Sequence, residues 1–286
     1  MRPVLLSKGN HKMPLTRRDL APLIALTALV AGKVPSARAA DGTIDAPRDM
    51  VGMPANWHGS EKIAFLAYPE FTALDLVGPH YMLGNLMGAT TFVVAKTREP
   101  VVSDMKLAIV PTATFDACPA DLDVICVPGG TSGTLAAMED EATLAFLKDR
   151  ASRARFVTSV CTGSLILGAA GLLRGYRATS HWVTRDLLVE FGAEPVDARV
   201  IIDRNRITGA GVTAGLDFGL TLVAMLRDQA YAEGLQLLAE YAPEPQFNAG
   251  TPHTAAKASV DLMGTMFAGF VEQARATAKR SVAKRG

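Results

Sequence analysis

The residues with the clearest capacity for covalent chemistry cluster at Cys161. Phe156-Val157-Thr158-Ser159-Val160 is a β-branched, apolar run that reads as a buried strand, and Leu165-Ile166-Leu167-Gly168-Ala169-Ala170 reads as a buried helix. Cys161 stands at the joint, among the small residues Ser159, Gly163 and Ser164. A sharp strand-to-helix turn of this kind lifts one side chain into a site, and small neighbours keep it free of clashes. The helix that follows points unpaired N–H groups and the positive end of its dipole at the sulfur, which favours thiolate. The plainer reading is a small cysteine packed in the core. Thr162 offers a backbone N–H to developing negative charge. Asp75 and the pair Gly129-Gly130 also follow strand-like segments. Asp75 is either an acid–base group or a cap for the helix that Gly78-Pro79 opens. Gly130, with Gly129 before it, offers a second N–H donor. His181 closes the strand-like run Arg177 to Ser180 and is either a base for Cys161 or a structural histidine beside Trp182.

Composition narrows the rest. The chain has 286 residues, 49% hydrophobic and 20% charged, with a formal net charge of +1. One large domain accounts for it, and near-neutral charge gives no electrostatic case for nucleic acid or an anionic membrane. Three cysteines cannot form a fully paired disulfide framework. Cys126 sits in the strand-like Val124-Ile125-Cys126-Val127 and reads as inert core, while Cys118 reads as a loop residue ahead of Pro119. No CxxC, HxH or HExxH spacing occurs, so the sequence implies no metal and no cofactor.

From Glu61 onward, strand-like and helix-like segments alternate. Strands are expected at Ile63–Tyr68, Thr91–Ala95, Lys106–Pro111, Asp121–Val127 and Phe156–Val160, with a hairpin at Val200–Asp203 and Arg206–Thr208. Helices are expected at Pro79–Leu86, Thr134–Arg150, after Cys161, at Val183–Phe191 and at Thr213–Leu226. Such alternation implies a doubly wound, mostly parallel sheet with its site at the carboxyl ends of the strands, where Asp75, Gly129-Gly130 and Cys161 converge.

The N-terminus carries the pattern of an export signal. Arg17 and Arg18 precede an apolar run from Leu20 to Ala31, and Ala37-Arg38-Ala39 suits signal peptidase. Thr16-Arg17-Arg18-Asp19-Leu20 is similar to a twin-arginine signal, with Ala21 and Pro22 departing from it. The expected organisation is a signal over 1–40 (starting at Met1 or Met13), a polar linker over 41–60, the folded domain over 61–250, and a C-terminal helix with a basic tail over 251–286. The expected location is the periplasm, with the cytoplasm as the alternative and no membrane span after signal removal.

Several motifs together resemble one family. Tyr68-Pro69, Leu74-Asp75-Leu76-x-Gly78-Pro79, Val127-Pro128-Gly129-Gly130, Val160-Cys161-Thr162-Gly163 and Ala178-Thr179-Ser180-His181-Trp182 are similar to those of the ThiJ/PfpI superfamily, and within it to isonitrile hydratases. Ile207 to Asp217 and Glu240-Tyr241-x-Pro243-x-Pro245-x-Phe247 extend the match, with Ala210 where a second glycine is commoner. The resemblance implies a flavodoxin-like α/β sandwich of the class I glutamine-amidotransferase kind, commonly a homodimer. It also implies hydration of an isonitrile to an N-formamide: Cys161 as nucleophile, Asp75 as acid and base, and Thr162 tied to hydratase activity. The protease branch has histidine after the nucleophile, where this chain has Thr162.

Two other readings stay open. A glyoxalase-type enzyme would share the cysteine but typically carries glutamate where Asp75 stands. An exported, non-catalytic protein would use Cys161 as a ligand contact or redox sensor. A transcriptional regulator is disfavoured, because only about forty residues follow Pro245 and they lack helix-turn-helix periodicity.

Overall fold

The computed structural model describes residues 53–284. The expected signal peptide, linker residues 41–52 and the last two residues of the basic tail lie outside them. The strands are β1 (Lys62–Leu66), β2 (Thr90–Ala95), β3 (Val101–Val102), β4 (Ala108–Ile109), β5 (Ala113–Thr114), β6 (Val124–Val127), β7 (Phe156–Val160), β8 (Arg177–Ala178), β9 (Glu194–Pro195), β10 (Val200–Asp203) and β11 (Arg206–Gly209). Seven of them form one sheet in the order β10-β11-β7-β6-β1-β2-β5, parallel except for the β10–β11 hairpin. The helices are α1 (Ala73–Gly84), α2 (Ser132–Glu139), α3 (Glu141–Ala151), α4 (Gly163–Ala169), α5 (Ala214–Leu226), α6 (Gln229–Leu238) and α7 (Lys257–Ala283).

Every residue of β6 and β7 is buried, as near-continuous apolar runs must be when helices cover both faces of a parallel sheet. The chain leaves β1 through α1 for β2 on one side, and leaves β6 through α2 and α3 for β7 on the other. Right-handed crossovers running in opposite directions place their helices on opposite faces. The reversal opens a crevice between the carboxyl ends of β1 and β6, where ligands bind in such sheets.

Several expected boundaries move. Helix α1 begins at Ala73, so Pro79 lies inside it and Asp75 in its first turn. Pro79 lacks the N–H that would bond the Asp75 carbonyl. Close packing against α5 accommodates the irregularity: a Cβ on Gly219 would stand 2.8 Å from that of Met82, and one on Gly215 3.0 Å from the Pro79 ring. The single helix expected over Thr134–Arg150 is two, because Asp140 turns extended and its side chain accepts the Thr143 N–H, capping α3. The Lys106–Pro111 strand shrinks to β4, which pairs with β3 outside the main sheet. Arg177–Ser180 shrinks to β8 and pairs with β9. Residues 54–60, expected as linker, dock on the domain: the Trp57 indole N–H donates to Asp228 at 2.9 Å, and Gly59 N–H to the Met87 carbonyl.

Candidate active site

Cys161 sits between β7 and α4 with φ of 58°, a left-handed conformation that a non-glycine residue holds only under constraint. Its N–H donates to the carbonyls of Ala210, at 2.8 Å, and Gly209. Its carbonyl accepts hydroxyls from Ser180, at 3.1 Å, and Ser164, at 3.2 Å. Gly163 follows because a Cβ there would meet the Val127 carbonyl at 2.1 Å. The small residues around the joint thus hold one strained turn in place.

Asp75 is fully buried in the first turn of α1. Its Oδ2 accepts the Gly129 N–H at 2.9 Å, and the Cys161 thiol donates to its carboxyl. Its Oδ1, also buried, has no hydrogen-bond partner among the described residues. Burial, with a small contribution from Asp104, raises the carboxyl from its ordinary 3.8 to about 7, against the pull of the Gly129 N–H and the thiol. Cys161 is buried as well. Burial and then the adjacent Asp75 push its thiol well above the ordinary range, opposed by the backbone N–H of Thr162. This corrects the expectation of a resting thiolate. The dipole of a seven-residue helix does not overcome a dry site beside a carboxyl. The resting pair is a thiol hydrogen-bonded to a carboxyl poised to exchange a proton near neutrality.

The expected donor Gly130 is engaged elsewhere. Its N–H donates to Thr162 Oγ1 at 2.9 Å, and Thr162 Oγ1 donates back to the Gly130 carbonyl at 2.7 Å. Gly130 therefore braces the loop instead of opening an oxyanion pocket, and Gly129 supplies its N–H to Asp75. The Thr162 hydroxyl is bonded to that loop, and both its side chain and its backbone N–H act on the sulfur. His181 is half-buried in a different environment. Its ring lies 6.0 Å from Trp182 and 5.9 Å from Phe267 of α7, and burial lowers its pKa. The titratable group bonded to the thiol is thus Asp75, with His181 at an aromatic wall beside the Gly211 turn.

Cys126 is wholly buried in β6 and pushed up to about 12, and Cys118 is buried and raised too. Sequence reasoning missed Thr134, a buried hydroxyl 2.9 Å from Thr162 Oγ1, and Ser180, which grips the Cys161 carbonyl. A legible signal for Thr134 is its place four residues after Gly130 at a helix start, where a threonine hydroxyl reaches back to the i−4 carbonyl. Among the described residues no group of three or more His, Cys, Asp or Glu could hold a metal ion. Nor is any described helix long and apolar enough to cross a membrane.

Residues 61–225 match the model of the DJ-1/PfpI family. The chain is 52% identical over 200 residues to the isonitrile hydratase of Pseudomonas putida, covering 70% of this chain and 87% of that protein. It is 33% identical over 180 residues to the HTH-type transcriptional regulator GbdR of Pseudomonas aeruginosa, covering 60% of this chain and 48% of the regulator. A crystal structure of a ThiJ/PfpI family protein from Pseudomonas syringae superposes with a TM-score of 0.78 at 60% identity, over 82% of this chain and 96% of that one.

Proposed function

The chain belongs to the DJ-1/PfpI family, and from that premise we propose that it is an isonitrile hydratase acting through Cys161 and Asp75. The observation that carries this reading is the buried Asp75 carboxyl, raised to about 7 and bonded to the Cys161 thiol, with Oδ1 left unpartnered. An isonitrile carbon must gain a proton and a nucleophile before water adds. As the Cys161 sulfur bonds to that carbon, Asp75 takes up the thiol proton and delivers it to the same carbon, giving a thioimidate. Asp75 next draws a proton from water, whose oxygen bonds to the carbon. The C–S bond then breaks, the nitrogen is protonated, and the N-formamide leaves with the thiol restored. A group with pKa near 7 gives and takes protons with similar ease at neutral pH.

The partner in this reading is a small molecule, and no nucleic acid is involved. The test is incubation of the purified protein with aryl and alkyl isonitriles and, separately, with methylglyoxal. Formamide production that is lost in Cys161→Ala supports the proposal. Lactate without formamide moves the glyoxalase-type reading ahead, and neither product with tight ligand retention favours a binding protein. We further propose export to the periplasm and a homodimeric state. Mass spectrometry of the protein from its native host should find a mature N-terminus near Ala40, and an intact N-terminus in the cytosol would overturn export.

A further inference from the structure

A chain of buried hydroxyls runs behind the candidate site. Tyr68 OH donates to the Pro128 carbonyl at 2.8 Å and lies 3.3 Å from Thr134 Oγ1. Thr134 Oγ1 is 2.9 Å from Thr162 Oγ1 and 3.1 Å from the Gly130 carbonyl. Each hydroxyl has one proton to give. With the Tyr68 proton on Pro128, the Thr134 and Thr162 hydroxyls both point their protons at the Gly130 carbonyl, and the two oxygens stand 2.9 Å apart on that one acceptor. Thr162 Oγ1 also accepts the Gly130 N–H. The five residues come from the ends of β1, β6 and β7 and from the first turn of α2, and Tyr68, Thr134 and Thr162 are all buried.

We infer that Thr134 is a positioning residue for the Cys161–Asp75 pair. It fixes the Thr162 hydroxyl and with it the Gly129-Gly130 turn, which sets the Gly129 N–H on Asp75 Oδ2. The turn has no slack to absorb a displaced Thr162. A Cβ at Gly129 would stand 2.5 Å from Thr162 Oγ1 and 2.9 Å from Asp75 Oδ2, so the three groups touch. Thr134 itself does not meet the sulfur or the Asp75 carboxyl, and it acts through Thr162 and the turn. The chemical role assigned to the pair rests on the hydratase reading, whereas the positional role does not.

The experiment therefore pairs an activity readout with one that needs no substrate. Full-length wild type, Thr134→Val and Thr134→Ser are compared by formamide formation from an isonitrile and by the pH dependence of Cys161 alkylation with iodoacetamide. Thr134→Val should lose roughly 10- to 100-fold in kcat with little change in KM, the scale expected when reacting groups shift by an ångström or less. Its alkylation profile should move in midpoint, because the Gly129 N–H no longer holds Asp75 in register. Thr134→Ser, which keeps the hydroxyl, should restore both. A lower melting temperature with an unchanged alkylation profile would make Thr134 a structural residue only and overturn the inference. A shifted profile without any formamide from wild type would sink the hydratase reading and leave the positioning role standing.

Discussion

Two carboxyl groups are buried among the described residues, and they end in opposite states. Glu61, at the start of β1, faces Arg227 just past α5, whose side chain is 2% exposed. The guanidinium donates from both terminal nitrogens to the Glu61 carboxylate, and its remaining N–H groups reach the carbonyls of Trp57 and Met87. Burial would raise Glu61, but the hydrogen bonds and charge of Arg227 outweigh it and hold the carboxyl below its ordinary value. Asp75 has no cation beside it, only an N–H and a thiol, and burial carries it to about 7. At Glu61 a cation outweighs the desolvation and leaves a fixed ion, while at the more deeply buried Asp75 no cation opposes it and the proton is mobile. Depth of burial and the partner decide together.

The largest expected effect comes from removing the mobile proton. Asp75→Asn should lower kcat by about 10²- to 10⁴-fold, the usual contribution of a general acid–base group. Stability should move the other way. The folded pKa of Asp75 is raised, so its favourable contribution is complete below its unfolded value near 4 and is lost as pH rises through about 7. Above that point wild type carries a buried charge that the amide does not. Urea unfolding at pH 8 should find Asp75→Asn more stable by on the order of 2–4 kcal/mol, with the difference vanishing near pH 4. A variant that is inactive and also less stable at pH 8 would show that Asp75 is a structural anchor.

Breaking the fixed pair should do the reverse. Glu61→Gln leaves Arg227 buried without its counter-ion, which costs roughly 3–5 kcal/mol. Formamide production per folded molecule should stay near wild type. The lowered pKa of Glu61 also assigns a window: its contribution is present above the unfolded carboxylate value and is lost as pH falls through the folded one. Acid unfolding should therefore begin at higher pH in Glu61→Gln, as circular dichroism would report. An unchanged acid transition would mean that Arg227 is held by the Trp57, Leu226 and Met87 carbonyls without Glu61.

These two sites were unequally legible in the sequence. Cys161 was readable because a buried strand, a small-residue turn and an apolar helix fall in consecutive residues, and the parallel sheet follows from the same alternation. Asp75 is readable as following a strand, yet the sequence pattern starts its helix at Pro79, since proline marks a first turn more often than an interior. The thiol state is not legible in the sequence, because helix polarity is written locally, whereas burial and the facing carboxyl come from the fold. Glu61–Arg227 and Tyr68–Thr134–Thr162 join residues far apart in the chain, and no spacing rule announces them. Trp57 reads as linker from its Gly and Pro neighbours, because its indole finds Asp228 only once α6 is in place.

The three thiols offer a finer comparison within the same physics. Cys126 is pushed up to about 12 by burial and is hydrogen-bonded to Thr158, with Asp75 acting on it only as a charge, whereas Cys161 is raised by burial but bonded to the Asp75 carboxyl, which can take its proton. With iodoacetamide below stoichiometry, Cys161 should label before Cys126 and Cys118, slowly at pH 6 and faster as pH passes 7 and Asp75 ionises. Fast labelling already at pH 6 would restore the resting thiolate that the buried site argues against.

The smallest expected effect probes whether the docked 54–60 segment belongs to the fixed side of the molecule. Trp57→Phe keeps an aromatic ring against Tyr231, 5.2 Å away, and removes only the indole N–H given to Asp228. Asp228 still accepts the Tyr231 N–H as the cap of α6 and the Asn56 amide, so no buried group is left unpaired. The loss should then be that of a single hydrogen bond, about 1 kcal/mol. The pH dependence of Cys161 alkylation should not move, because Trp57 and Arg227 brace the Glu61 end and the site pair answers to Thr162 and Gly129. A shift in that profile would mean that the two buried carboxyls are coupled through β1, which carries Glu61 at its start and leads to Asp75 beyond its end.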